Sequence, residues 1–111
     1  NVSADDKATV LKLFEKLINV ANGVNEVKLA QPALINACAV DYLDAFGYSL
    51  YGYFWLAMTN AVHDHEDSKF TQQKQHLSRF YFDKLIAKAD YHLSQVAAGD
   101  ASIMEIDESL F

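Results

Sequence analysis

The stretch Ala39-Val-Asp-Tyr-Leu-Asp-Ala-Phe-Gly-Tyr-Ser-Leu-Tyr-Gly-Tyr-Phe-Trp55 limits what this chain can become more than any other. It sets Tyr42, Phe46, Tyr48, Tyr51, Tyr53, Phe54 and Trp55 around two glycines, with no proline, and only Asp41 and Asp44 carry charge. A segment so bulky and apolar is no loop, because loops run over the surface where backbone groups meet water. As a helix it must accept Gly47 and Gly52, each about 1 kcal/mol worse than alanine. A helix that accepts them has another backbone close against it. The stretch therefore reads as the middle of a central, mostly buried helix.

That helix has a marked start. Pro32 is the only proline, and it suits a first helical turn, where its missing N–H is no loss, while Gln31 before it is pushed out of helical geometry. From there the apolar pattern meets no breaker until about Val62, roughly 46 Å of helix. Ile35, Ala39, Tyr42, Phe46, Leu50, Tyr53 and Ala57 fall on one side, which is expected to face the chain's own core. Asp41, Asp44, Tyr48, Tyr51, Trp55 and Thr59 fall on the other, an aromatic side that is neither plain core nor plain solvent face.

A helix is expected on each side of it. Ser3 can cap the first, with Asp5 and Asp6 at the positive end of its dipole. Val10, Leu13, Phe14, Leu17, Ala21 and Val24 form its stripe, which runs past Gly23 to about Lys28. Asp67 or Ser68 can cap the third. It carries Phe70, Leu77, Tyr81, Leu85, Ala89, Leu93 and Val96, and Gly99 stops it. The tail from Asp100 to Phe111 mixes acids with apolar residues in no clear period and is expected to be irregular. Short connections make neighbouring helices antiparallel. The expectation is one all-α domain over 1–111, an up-down bundle of three long helices at about 4–28, 32–62 and 68–98.

Composition removes several function classes. Fifteen acidic against nine basic residues give a formal charge of −6, which disfavours nucleic acid and anionic lipid as partners. Cys38 is the only cysteine, so neither an intrachain disulfide nor a thiolate zinc site can form, and its apolar helix suits a small buried hydrophobe. No apolar run approaches the roughly 18 residues of a membrane span, and no signal peptide opens the chain. A cytoplasmic location is the expectation. The start at Asn1, with a helix almost at once, points to a piece of something longer.

Chemistry is sparse. His63-Asp-His-Glu-Asp67 is the one cluster of metal-ligand residue types, but histidines two apart converge only in a loop, so it reads as a solvated turn. His76 and His92, near the polar side of the third helix, read as surface histidines. Asp41 and Asp44 could form an acid–base pair or a cation site; the plainer reading has them facing solvent or paired with a basic residue of a neighbouring helix or chain. Tyr48, Tyr51 and Trp55 could stack on a flat ligand, yet such a row is more often packing surface. No catalytic, cofactor or metal residues are assigned.

The run Ala39-x-x-Tyr42-Leu43-x-x-Phe46-Gly47, then Gly52-x-x-Trp55, resembles the acetyl-CoA-dehydrogenase C-terminal-like domain. This is the helical module behind the catalytic body in one branch of the FAD-dependent acyl-CoA dehydrogenases. Ser78-Arg79-Phe80-Tyr81, Leu85, Ala89 and the close Gly99-Asp-Ala-Ser102 continue the likeness over nearly the whole chain. It departs at Asp44, Tyr53 and Ile86-Ala87, where the branch commonly has Arg, Trp and Leu-Pro. The resemblance implies a parent enzyme that removes an α-proton from an acyl-CoA thioester and passes the β-hydride to FAD. The base and the flavin contacts belong to the preceding domains, so no cofactor is expected in this chain itself.

The expected function is a non-catalytic helical domain that packs against the catalytic body of its parent or a second subunit. Asp41, Asp44, Tyr48, Tyr51 and Trp55 are the interface candidates, and a homodimer of the chain is a further possibility. The rival readings are a free-standing helical interaction module and, behind it, a small ligand- or metal-binding bundle that uses the histidine-rich turn.

Overall fold

Helical hydrogen bonding runs through nearly all the residues that the computed structural model describes, which are 4–27, 32–63, 68–98 and Ser109. Helix α1 is Ala4–Val27 and α2 is Pro32–Val62. The third rod begins as α3, Ser68–Phe80, passes through a π-helical turn at Tyr81–Leu85, and resumes as α4, Ala87–Ala98. No strand occurs among the described residues, and the fold is all-α. The expectations for Ser3, Lys28, Gln31, residues 64–67, Gly99 and the tail apart from Ser109 lie outside the described residues.

Cross-helix bonds set the directions. Tyr42 donates its hydroxyl to the Leu17 carbonyl at 3.2 Å, while Gly52 lies against Val10, so α1 and α2 run antiparallel. Thr71 Oγ1 donates to the Val62 carbonyl at 3.0 Å and His92 meets Asp41 at 2.8 Å, so the third rod runs antiparallel to α2. Arg79 donates to both carboxylate oxygens of Asp6, at 3.1 and 3.2 Å, and Lys16 reaches Asp90 at 2.7 Å. These two ties, ten residues apart on α1, align it with the third rod. The bundle is up-down-up.

The α1 stripe packs as its spacing demands: Val10, Leu13 and Leu17 are buried, and Phe14, Ala21 and Val24 are partly so. Full burial of each such leucine stabilises by about 1.5–3 kcal/mol. The core face of α2 is a correction. The side through Ile35, Phe46, Tyr53 and Ala57 is exposed, and the buried positions are Cys38, Ala45, Ser49, Gly52, Thr59 and Val62. These are small side chains. Two neighbouring rods press on α2 at once, and small residues let both come close, with the aromatics splayed to either flank.

The π turn is a second departure. Its Ile86 N–H donates five residues back to the Tyr81 carbonyl at 3.0 Å, and Ala89 N–H then donates to the Ile86 carbonyl. Apolar steps of four overshoot an α-helical turn by about 40° each, and an inserted residue takes up that drift. Tyr81 and Phe82 are consequently buried side by side, with Ile86 and Ala89 below them. Ahead of the turn Ser78 is the buried position and Leu77 is exposed.

Candidate functional site

Helix α2 has three sides: the small-residue seam, a flank against the third rod, and an outward side. On the flank, His92 Nδ1 donates to Asp41 Oδ1 at 2.8 Å, and Asp44 Oδ2 lies 3.9 Å from Nε2. A carboxylate only accepts, so Nδ1 carries the proton. With its side chain 18% exposed, His92 is not the surface histidine expected from its place in the sequence. Antiparallel packing of α4 on α2 brings its turn over that of Asp41, fifty-one residues away in the chain.

Aromatics complete the flank. Tyr48 stacks on the His92 ring at 6.0 Å and 9°, and Tyr91 meets it edge-on at 5.1 Å. Lys88 Nζ stands 5.8 Å over the Tyr48 ring. Trp55 lies 6.5 Å from Tyr81, whose hydroxyl donates to the Tyr48 carbonyl. Burial first, with Tyr48 and Tyr51 adding to it, pushes the Tyr81 phenol up to about 12.

The five interface candidates therefore do not form one surface. Asp41 is tied to His92, and Tyr48 and Trp55 pack against the chain's own core. Tyr51 and Asp44 look outward, at 58% and 48% exposure. An Asp–His pair is the orienting half of a nucleophilic triad. Here, however, both ring nitrogens face carboxylates, and among the described residues no hydroxyl or thiol is bonded to the imidazole. Chemically the cluster is a clamp between helices.

Other candidates are equally quiet. Of the histidine-rich turn only His63 is described, and it is exposed. Among the described residues no three His, Cys, Asp or Glu side chains converge as metal ligands. His76 is exposed beside a polar hollow of about 250 Å³ that it shares with Gln72, Gln75 and Arg79. Cys38 is buried, and burial is the main cause that pushes its thiol up.

The outward side carries Val40 and Leu43, exposed at 69% and 68%, with Tyr51, Phe54 and Met58 also open to solvent. A shallow hollow of about 590 Å³ lies between Tyr51, Phe54, Met58 and Ala61. In the middle sits Gly47, where an added Cβ would meet none of the described residues within 4 Å. Sequence reasoning missed this side because α2 is apolar all round, and periodicity without contrast cannot tell inside from outside. No described helix is long and apolar enough to cross a membrane.

A family model described as "Acetyl-CoA dehydrogenase C-terminal like" matches residues 4–107. No curated protein and no solved structure matches the chain.

Proposed function

The chain belongs to the acetyl-CoA dehydrogenase C-terminal-like family, and on that premise we propose that it serves an acyl-CoA dehydrogenase as a non-catalytic helical domain for packing or subunit assembly. The parent chain supplies FAD and the α,β-dehydrogenation of an acyl-CoA thioester. This domain supplies surface: it docks on the catalytic body or on a neighbouring subunit through the outward side of α2.

The observation that carries this reading is the exposed apolar stripe from Val40 to Met58 on the central helix. A helix apolar on every side belongs inside a larger assembly, and contiguous apolar patches on a protein surface mark interaction sites. The Asp41–His92 clamp and the Tyr81 bond to Tyr48 fit the same role, because they stiffen α2 from behind.

The test uses the whole gene product that carries this chain. Flavin absorbance near 450 nm and its bleaching by acyl-CoA are expected, and the double variant Leu43→Asp/Phe54→Asp is expected to lower the native mass or free the domain to limited proteolysis. A gene product without flavin, or a double variant with unchanged mass and unchanged protease resistance, would overturn the reading.

A further inference from the structure

Two glycines lie five residues apart on α2, and the fold explains only one of them. A Cβ on Gly52 would come within 2.5 Å of Ile86 Cδ1 and 3.2 Å of Val10 Cγ2, so the chain's own packing favours glycine there. Gly47 faces away from that seam, with none of the described residues within 4 Å of a Cβ built on it. Glycine is the poorest helix former after proline, and among the described residues nothing requires it at 47. What a glycine on an outward apolar stripe provides is close approach of another helix.

The surroundings of Gly47 say which helix. At 100° per residue, Val40, Leu43, Gly47, Phe54, Met58 and Ala61 fall within an arc of roughly 60°. Gly47 is the midpoint of a graded pattern: aliphatic Val40 and Leu43 precede it by seven and four residues, and aromatic Phe54 and Tyr51 follow it by seven and four. A second copy crossing antiparallel at Gly47 brings Val40 level with Phe54 and Leu43 level with Tyr51, large beside small, at an even separation. A parallel copy would stack aromatics at one end and aliphatics at the other and splay the pair. The polar rim agrees. Under that two-fold the exposed Tyr51 lies on the same flank as Asp44 of the second copy, about 1.5 Å apart along the helix axis, so a phenol meets a carboxylate on each side.

Resting on the assembly role above, we propose that the partner of this face is a second copy of the chain, with two α2 helices crossing antiparallel at Gly47. One helix face covers about half of the ~800 Å² per partner of a standard interface. The contact alone is therefore small for a stable dimer and acts alongside other contacts of the parent enzyme.

Cysteine cross-linking in the whole gene product tests it, in a Cys38→Ala background and with linked peptides identified by mass spectrometry. Gly47→Cys is expected to give a 47–47 disulfide. A mixture of Val40→Cys and Phe54→Cys chains is expected to give a 40–54 link in at least about tenfold excess over any 40–40 link, because two Val40 residues would lie ~21 Å apart. Gly47→Leu, at a position where a Cβ meets none of the described residues, is expected to keep the helical circular dichroism and lose the 40–54 link. Tyr51→Phe is expected to weaken association about threefold to tenfold. Absence of a 47–47 link, or 40–40 links as abundant as 40–54, overturns the proposal. If those links are absent while Leu43→Asp/Phe54→Asp still lowers the mass or exposes the domain, the face packs on the catalytic body and only the second-copy assignment falls.

Discussion

The same substitution, glycine to alanine, is expected to have opposite effects at two positions on one helix. At Gly47 the new methyl meets none of the described residues within 4 Å, so the change is expected to stabilise by up to about 1 kcal/mol through helix propensity alone. At Gly52 the same gain is opposed, because the methyl must displace Ile86 Cδ1 from 2.5 Å and press Val10 Cγ2 at 3.2 Å. Valine is stiff at χ1, and overpacking of this kind costs about 1–3 kcal/mol. Gly52→Ala is thus expected to be neutral to about 2 kcal/mol destabilising. Subtracting the two variants cancels propensity and leaves the steric part, about 1–3 kcal/mol. Urea unfolding followed at 222 nm gives both numbers, at several low concentrations so that association does not enter. Ile86→Val removes the nearest atom: it should cost about 0.5–1.5 kcal/mol alone and distinctly less beside Gly52→Ala. A difference between the two alanine variants below about 0.5 kcal/mol would refute the close approach at Gly52.

Two further outcomes are expected. Among six tyrosines, one should titrate late, near 12, in absorbance at 295 nm, and Tyr81→Phe should remove that step and cost about 1 kcal/mol for the lost bond to the Tyr48 carbonyl. Since folding raises this phenol, its contribution to stability is complete below pH ~10 and disappears as pH rises from ~10 to ~12; flat stability across that window would contradict it. Asp41→Ala and His92→Ala should each cost about 1 kcal/mol at neutral pH, with a coupling of about 0.5–1 kcal/mol in the double-mutant cycle, reduced by their partial exposure. Additive single effects would mean that the pair does not clamp the helices.

How much was legible varies by element. The stripe Val10, Leu13, Leu17 was readable because α1 is amphipathic, so its polar side marks its apolar side by contrast. On the third rod the stripe through Tyr81, Ala89, Leu93 and Val96 was readable, but not the π turn that keeps it on one side, since that turn answers to packing against α2. His92 is not legible as a clamp residue: its partner Asp41 lies on another helix, and nothing local announces the pair. A signal for the α2 seam did exist in the recurrence of Cys38, Ala45, Ser49, Gly52 and Thr59, small residues at helical spacing, but the large aromatics around them drew the assignment to the wrong side.

By itself, then, the sequence determined that Ala39–Trp55 lies inside a long helix in an all-α chain, because composition, the placement of Pro32 and helical spacing are local properties. It also carried the family likeness, in motifs that need no neighbours to be read. Only the tertiary structure decided which side of that helix is inside. When every side is apolar, the core is wherever two other rods can approach closest, and that was settled at Ala45, Ser49 and Gly52. Gly47 was left on the far side, facing outward.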